Sequence, residues 1–174
     1  MASSDSNTVL VFCYGSNMLT ARIQARCRSA SCLGIAELRG YELRWHKRSI
    51  DGSGKCDVVA GSAHSAVFGV VYTVPWSEKA DLDRAEGLGN GYDERTVSVR
   101  LQGNPIDVAL YSATNTDAAL KPYTWYVALV VEGARQHGLP PDYVSQLAAT
   151  EAVQDANCER HDLHMAILQE GAGR

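Results

Sequence analysis

Apolar positions alternate with their neighbours in short runs over the first two-thirds of the chain. In the last third they recur every three to four residues. The first run is TVLVFCY, residues 8–14. In an extended chain Val9, Val11 and Cys13 fall on one side, and Leu10, Phe12 and Tyr14 on the other. Both sides are apolar, which predicts a central strand covered on two faces. Further strands are predicted at CLGIAEL (32–38), YELRWHKR (41–48), residues 57–60, VFGVVYTV (67–74), YDERTVSVRL (92–101) and IDVALYSA (106–113). Arg39-Gly40 suggests that the strands on either side of it lie next to each other. IDGSGK (50–55) reads as a turn-rich loop, and QGNP (102–105) as the turn of a hairpin. PWSEKADLDRAEG predicts a helix, with Pro75 near its start and Gly87 just past its end. Residues 18–28 suit a short helix or turn. Residues 122–168 read as helical, interrupted by Gly138-Leu139-Pro140-Pro141. There Tyr126, Leu129, Val130, Gly133 and Ala134 follow the i, i+3, i+4, i+7, i+8 template of a buried helix face.

Strands first and helices last predict an α+β fold: a small mixed β-barrel or curved sheet with packed helices and a helical C-terminal third. Spaced βαβ crossovers are missing, which argues against a Rossmann-type sheet. At 174 residues the chain is expected to be a single domain, 1–174, with frayed ends at 1–7 and 170–174. Net charge −4 gives no footprint for nucleic acid or an anionic membrane. No stretch approaches the roughly 20 apolar residues of a membrane span. The leader MASSDSNT has no positive n-region, and Val9 to Cys13 is too short for a signal-peptide core. Five cysteines, Cys13, Cys27, Cys32, Cys56 and Cys158, are an odd count without framework spacing. They are read as mostly reduced, in a cytoplasmic protein.

Two places carry candidate chemistry. Tyr14-Gly15-Ser16-Asn17 ends the first strand and opens a helix. Gly15 there can take φ > 0, Ser16 or Asn17 can cap the helix, and successive N–H groups can hold an anion. An ordinary capped turn has the same sequence. Glu86 lies in the last turn of its helix, beside the stripe marked by Leu82 and Ala85. The negative end of the helix dipole and partial burial both favour its protonated form, as a general acid/base requires. A solvated glutamate is the plainer alternative. Asp81, Asp83 and Glu94 read as surface charges, although Asp83 and Glu86 could share a face. DGSGKC lacks the first glycine and the Ser/Thr of a P-loop. GLGNG follows a helix rather than a strand, so it is no dinucleotide fingerprint. Cys158, His161 and His164 stand at helical spacing but lack an evident fourth metal ligand.

Three segments form an ordered pattern: FCYGSNML, LDRAEGLGNGY and YVALVVEGARQHGLPPDY. Together they resemble the γ-glutamylcyclotransferase family over roughly residues 8–147. The resemblance implies a small α+β domain built on a β-barrel, and cyclisation of a γ-glutamyl group to 5-oxoproline with release of an amino acid or amine. It implies no metal and no organic cofactor. It places the catalytic glutamate on Glu86. It places γ-glutamyl binding on Tyr14, Gly15 and Ser16, with backbone donors continuing to Asn17 and Met18. Tyr92 and Tyr126 are implied to line the pocket. Asn17 after Gly-Ser resembles the γ-glutamyl amino acid branch rather than the glutathione-specific or γ-glutamylamine branches. KCDVVAGSAHSA (55–66) departs from the family's Gly-rich stretch, on what is expected to be the leaving-group side. The partner is then a small-molecule γ-glutamyl substrate, with a homodimer left open.

The chemistry is consistent with this. A carboxylate would deprotonate the α-ammonium so that the amine reaches the γ-carbonyl, and would return the proton to the leaving nitrogen. Holding the substrate folded back can contribute about 7–11 kcal/mol. The alternatives are a non-catalytic γ-glutamyl or amino-acid binder, a hydrolase using Ser16 or Cys13, and a metal module at Cys158, His161 and His164.

Overall fold

The computed structural model describes residues 7–171. Five strands close a barrel: β1 (Thr8–Cys13), β2 (Ser31–Arg39), β5 (Ala66–Pro75), β6 (Tyr92–Leu101) and β7 (Asn104–Ala113). Their order around the barrel is β1-β5-β2-β6-β7. Every pairing is antiparallel except the closing contact of β1 with β7, where Val11 faces Ala109 in parallel. β1 is the central, doubly covered strand its alternation predicts, flanked by β5 and β7. Closure leaves the barrel without an open edge.

β3 (Tyr41–Arg48) and β4 (Gly54–Ala60) form a separate two-stranded hairpin. The expected neighbourhood of 32–38 and 41–48 is therefore wrong. At Gly40 (φ 76) the chain leaves the barrel instead of folding back on it, and β2 pairs with β5 and β6. The hairpin's second strand also starts earlier than its polar sequence suggests, since Gly54 and Lys55 belong to β4 rather than to the loop. Asp57 ties the hairpin back to the barrel: its carboxylate accepts from Ala113 N (2.8 Å) and contacts His46 Nε2 (2.9 Å).

A 3₁₀ turn, Ser16–Met18, and a short α1 (Thr20–Gln24) follow β1. α2 (Trp76–Glu86) joins β5 to β6. The helical third resolves into α3 (Thr124–Gln136), α4 (Pro141–Ala148) and α5 (Cys158–Gly171). α3 is buried along the predicted face, with Tyr126, Leu129, Val130, Gly133 and Ala134 all inaccessible. Gly133 is where α3 meets the turn after β1. A Cβ there would lie 2.5 Å from Leu19 N and 2.8 Å from Met18 Cβ. Asn7 O accepts from Trp76 N (3.0 Å), and α5 runs on through Gly171. The remaining residues expected to be frayed, 1–6 and 172–174, lie outside the described ones. Among the described residues no helix is long and apolar enough to cross a membrane.

Candidate active site

β1 ends at one mouth of the barrel, and the chain turns there through Gly15 into the 3₁₀ turn. Residue 15 is glycine for want of space rather than for φ > 0. Its φ is −114, and a Cβ would sit 3.0 Å from Tyr126 Oη and 3.2 Å from Cys56 Cβ. Neither Ser16 nor Asn17 caps a helix with its side chain. With only three residues in the turn, the anion site expected of a helix terminus reduces to backbone donors. Among the described residues, Ser16 N–H and Asn17 N–H have no backbone acceptor. Met18 offers none: its N–H donates to Gly15 O (3.1 Å), and its side chain is buried beneath the turn.

α2 carries Glu86 to the same mouth and stops there, because Gly87 turns left-handed (φ 73). Asn17 has a different task from the capping predicted for it. Its Nδ2 donates to Glu86 Oε1 (2.6 Å), while its Oδ1 accepts from Arg26 Nη1 (2.8 Å). Arg26 Nη1 also reaches Glu86 Oε1 (2.5 Å). One carboxylate oxygen is thus held by an amide and a guanidinium, while Oε2 has no partner among the described residues. Sequence reasoning took only Glu86's own helix into account and missed Arg26. That residue is 60 positions away in the turn after α1, and nothing in its local pattern marks it.

Four tyrosines complete the pocket. Tyr92 Oη donates to Cys56 O (2.6 Å), and Cys56 N donates to Tyr126 Oη (3.2 Å), so the backbone of one β4 residue pins both rings. Tyr14 Oη donates to Tyr111 O. Burial pushes the hydroxyls of Tyr14, Tyr92 and Tyr126 well above the ordinary range, so they remain neutral donors. Tyr111 and Cys56 were not foreseen. Together with Tyr14, Gly15, Ser16, Asn17, Glu86, Tyr92 and Tyr126 they enclose a pocket of about 40 Å³.

The other carboxylates lie elsewhere. Asp83 accepts from Tyr111 Oη (2.6 Å) and pairs with Lys79, which also pairs with Glu94. Lys79 is buried, so Asp83 is part of a partly buried ion network rather than a surface charge; Glu94, at the outer end of that network, is exposed as expected, and Asp83 forms no pair with Glu86. The thiols are poor nucleophiles. Burial pushes Cys13 up strongly and Cys56 to about 12, and no described imidazole bonds Ser16. Cys158 and His161 do not join His164. His164 stacks on Trp125 (centroids 3.8 Å apart), while His161 Nδ1 lies 3.3 Å from Gln154 Nε2. Among the described residues no three His, Cys, Asp or Glu side chains gather as a metal cluster.

Comparison with known proteins places this geometry. The AIG2-like family model matches residues 66–147. The γ-glutamylcyclotransferase of Bos taurus is 32% identical over 158 residues, spanning 87% of this chain and 83% of that protein. The γ-glutamylcyclotransferase of Homo sapiens is 34% identical over 153 residues, 84% of this chain and 81% of that protein. A solved structure titled γ-glutamyl cyclotransferase superposes with a TM-score of 0.82 at 28% identity, covering 91% of this chain and 99% of that one. The fold is thus shared with these proteins, and this chain belongs to the γ-glutamylcyclotransferase family.

Proposed function

We propose that the protein converts a γ-glutamyl amino acid into 5-oxoproline and the free amino acid, with Glu86 as the acid/base. The observation that carries this is the half-committed carboxylate. Oε1 is fixed by Asn17 and Arg26, and Oε2 is left for a proton at the mouth of the pocket. The γ-glutamyl α-carboxylate lies against the free N–H groups of Ser16 and Asn17, which turns the α-ammonium toward Glu86. Glu86 takes a proton, the amine nitrogen bonds to the γ-carbonyl carbon, and a five-membered ring closes. The bond from that carbon to the leaving nitrogen then breaks as Glu86 returns the proton to it, and the second proton of the ring nitrogen passes to the released amine, which departs as an ammonium. Tyr14, Tyr92 and Tyr126 are neutral hydroxyls around the reacting group. Pinning two of them on the backbone of one residue supports the preorganisation that such electrostatic stabilisation needs.

Asn17 lends the reading one more support: in its place, a side chain without an amide would leave Glu86 Oε1 to Arg26 alone. The enzyme is read as cytoplasmic, as acting in γ-glutamyl and glutathione turnover, and as using residues alone. The test is incubation with γ-glutamyl-alanine, glutathione, α-glutamyl-alanine and N-acetyl-γ-glutamyl-alanine, scored for 5-oxoproline. Release from γ-glutamyl-alanine, ahead of glutathione, and from neither of the other two is expected. Free glutamate in place of 5-oxoproline would overturn the reaction class.

A further inference from the structure

Beside the pocket, and sharing Ser16, Glu86, Tyr92 and Tyr126 with it, lies a second chamber of about 210 Å³. The pocket alone has room for about three waters, far less than a γ-glutamyl amino acid, so a substrate with its γ-carbonyl at Glu86 must extend into this chamber. Of the divergent 55–66 segment only Lys55 reaches it. His64, Ser65 and Ala66 border a groove elsewhere, against α4. The chamber's other walls come from α1, the β3–β4 hairpin, α3 and α5.

Its charges do not balance. Four cations line it, Arg22, Arg26, Lys47 and Lys55, against two carboxylates, Asp51 and Glu86. Two pairs form, Lys55 with Asp51 (2.7 Å) and Arg26 with Glu86 (2.5 Å). Arg22 and Lys47 are left with no carboxylate in reach among the described residues. Arg22 Nη1 donates to His164 Nδ1 (2.9 Å), and its Nε is buried without any partner. Burial, aided by Arg22 and Lys55, pushes His164 down to about 4, so the ring accepts that bond as a neutral base and adds no charge. Lys47 is 8% exposed, and its ammonium lies 4.6 Å from the Tyr92 ring centroid. Buried cations are costly unless an anion meets them. Two such cations, beside the bond to be broken, are a site awaiting two negative charges.

We infer, on the cyclotransferase reading above, that the chamber receives the leaving group and selects one with two anionic groups: an acidic amino acid, γ-linked through its nitrogen to glutamate. One carboxylate meets Arg22 and the other Lys47. The leaving nitrogen points back to Glu86, from which it takes its proton as the ring closes. A leaving group with one carboxylate satisfies half the site, and an uncharged amine satisfies none of it.

The experiment compares kcat/KM for 5-oxoproline release from γ-glutamyl-glutamate, γ-glutamyl-aspartate, γ-glutamyl-alanine and γ-glutamyl-ethylamide. The two diacids are expected to lead, with the ethylamide at least about tenfold behind, the scale of one hydrogen bond to a charged group. Arg22→Gln and Lys47→Gln should each shrink that ratio about tenfold through KM for the diacid. A merely structural role would lower all substrates in parallel. If Arg22→Gln fails to fold, Lys47→Gln decides alone. Ethylamide or alanine substrates turning over as well as the diacids, or a ratio unmoved in the folded variants, would overturn the anionic subsite and leave the cyclotransferase standing. No 5-oxoproline from any of the four would overturn the reaction class, and the subsite with it.

Discussion

Glu86 owes its geometry to neighbours that a glutamine in its place would keep. Asn17 Nδ2 and Arg26 Nη1 can both donate to an amide oxygen as they do to Oε1. Glu86→Gln should therefore fold and bind normally, while kcat falls by at least about 10²-fold, the scale of a positioned acid/base. Steady-state kinetics alongside a melting curve check this, and a near-normal kcat would remove Glu86 from the chemistry. Gly15 tests the opposite kind of constraint, where bulk matters and charge does not. A methyl at 3.0 Å from Tyr126 Oη and 3.2 Å from Cys56 Cβ must push the ring or the β4 peptide aside by a few tenths of an ångström. Gly15→Ala is expected to loosen the Cys56–Tyr126 hydrogen bond, costing about 0.5–1.5 kcal/mol. KM should rise more than the melting temperature falls. A variant with native KM would show that the close approach has no bearing on binding.

Among the elements, the contact of α3 with the turn after β1 is the tightest link between scaffold and site. Gly133→Ala places a methyl 2.5 Å from Leu19 N, which is backbone and cannot swing away. Overpacking of this sort costs about 1–3 kcal/mol, and each kcal/mol lowers the melting temperature by roughly 2–4 °C in a chain of this size. Calorimetry should show that loss together with a raised KM, because the displaced turn carries Ser16 and Asn17. A native melting temperature would contradict the packing. The same contact shows how far the sequence could be read. Periodicity found the buried face of α3, the alternation of β1 and the cap at Gly87, because each is a local pattern. It failed where partners are distant. YELRWHKR looks like the neighbour of CLGIAEL, and only the closed barrel shows β2 already occupied on both sides. Glu86 and the Tyr-Gly-Ser turn were legible through the family resemblance. Arg26, Lys47 and Tyr111 were not, since each looks like an ordinary residue of its own turn or strand.

For the molecule as a whole, pH reports on the helical cover. His164, packed on Trp125, titrates near 4 in the folded protein against an ordinary 6.5, and burial also lowers His137. The unfolded chain therefore takes up these protons first. Stability is full above about pH 6.5 and declines as pH falls toward 4. Asp51 sets no slope in that window. Burial raises it, but hydrogen bonds from Lys55 and Ser53 outweigh this and hold it at about 2. Melting temperatures measured between pH 7 and pH 4.5 should fall, and His164→Gln should flatten the decline. A flat profile in the native protein would mean that the ring is not shielded as described. The hairpin of β3 and β4 has a consequence of another kind. It hydrogen-bonds to no barrel strand through its ladder, yet supplies Lys47, Lys55 and Cys56 to the mouth. Its ladder can therefore change length and charge without unpairing a barrel strand. Lys47 thus reaches the chamber on a piece of chain separate from the one that carries Glu86, while Cys56 on that same piece holds two of the pocket tyrosines. Exchanging residues 41–60 between two relatives that differ at position 47 should therefore shift the preference for the leaving group's charge only in part, because Arg22 stays behind on α1.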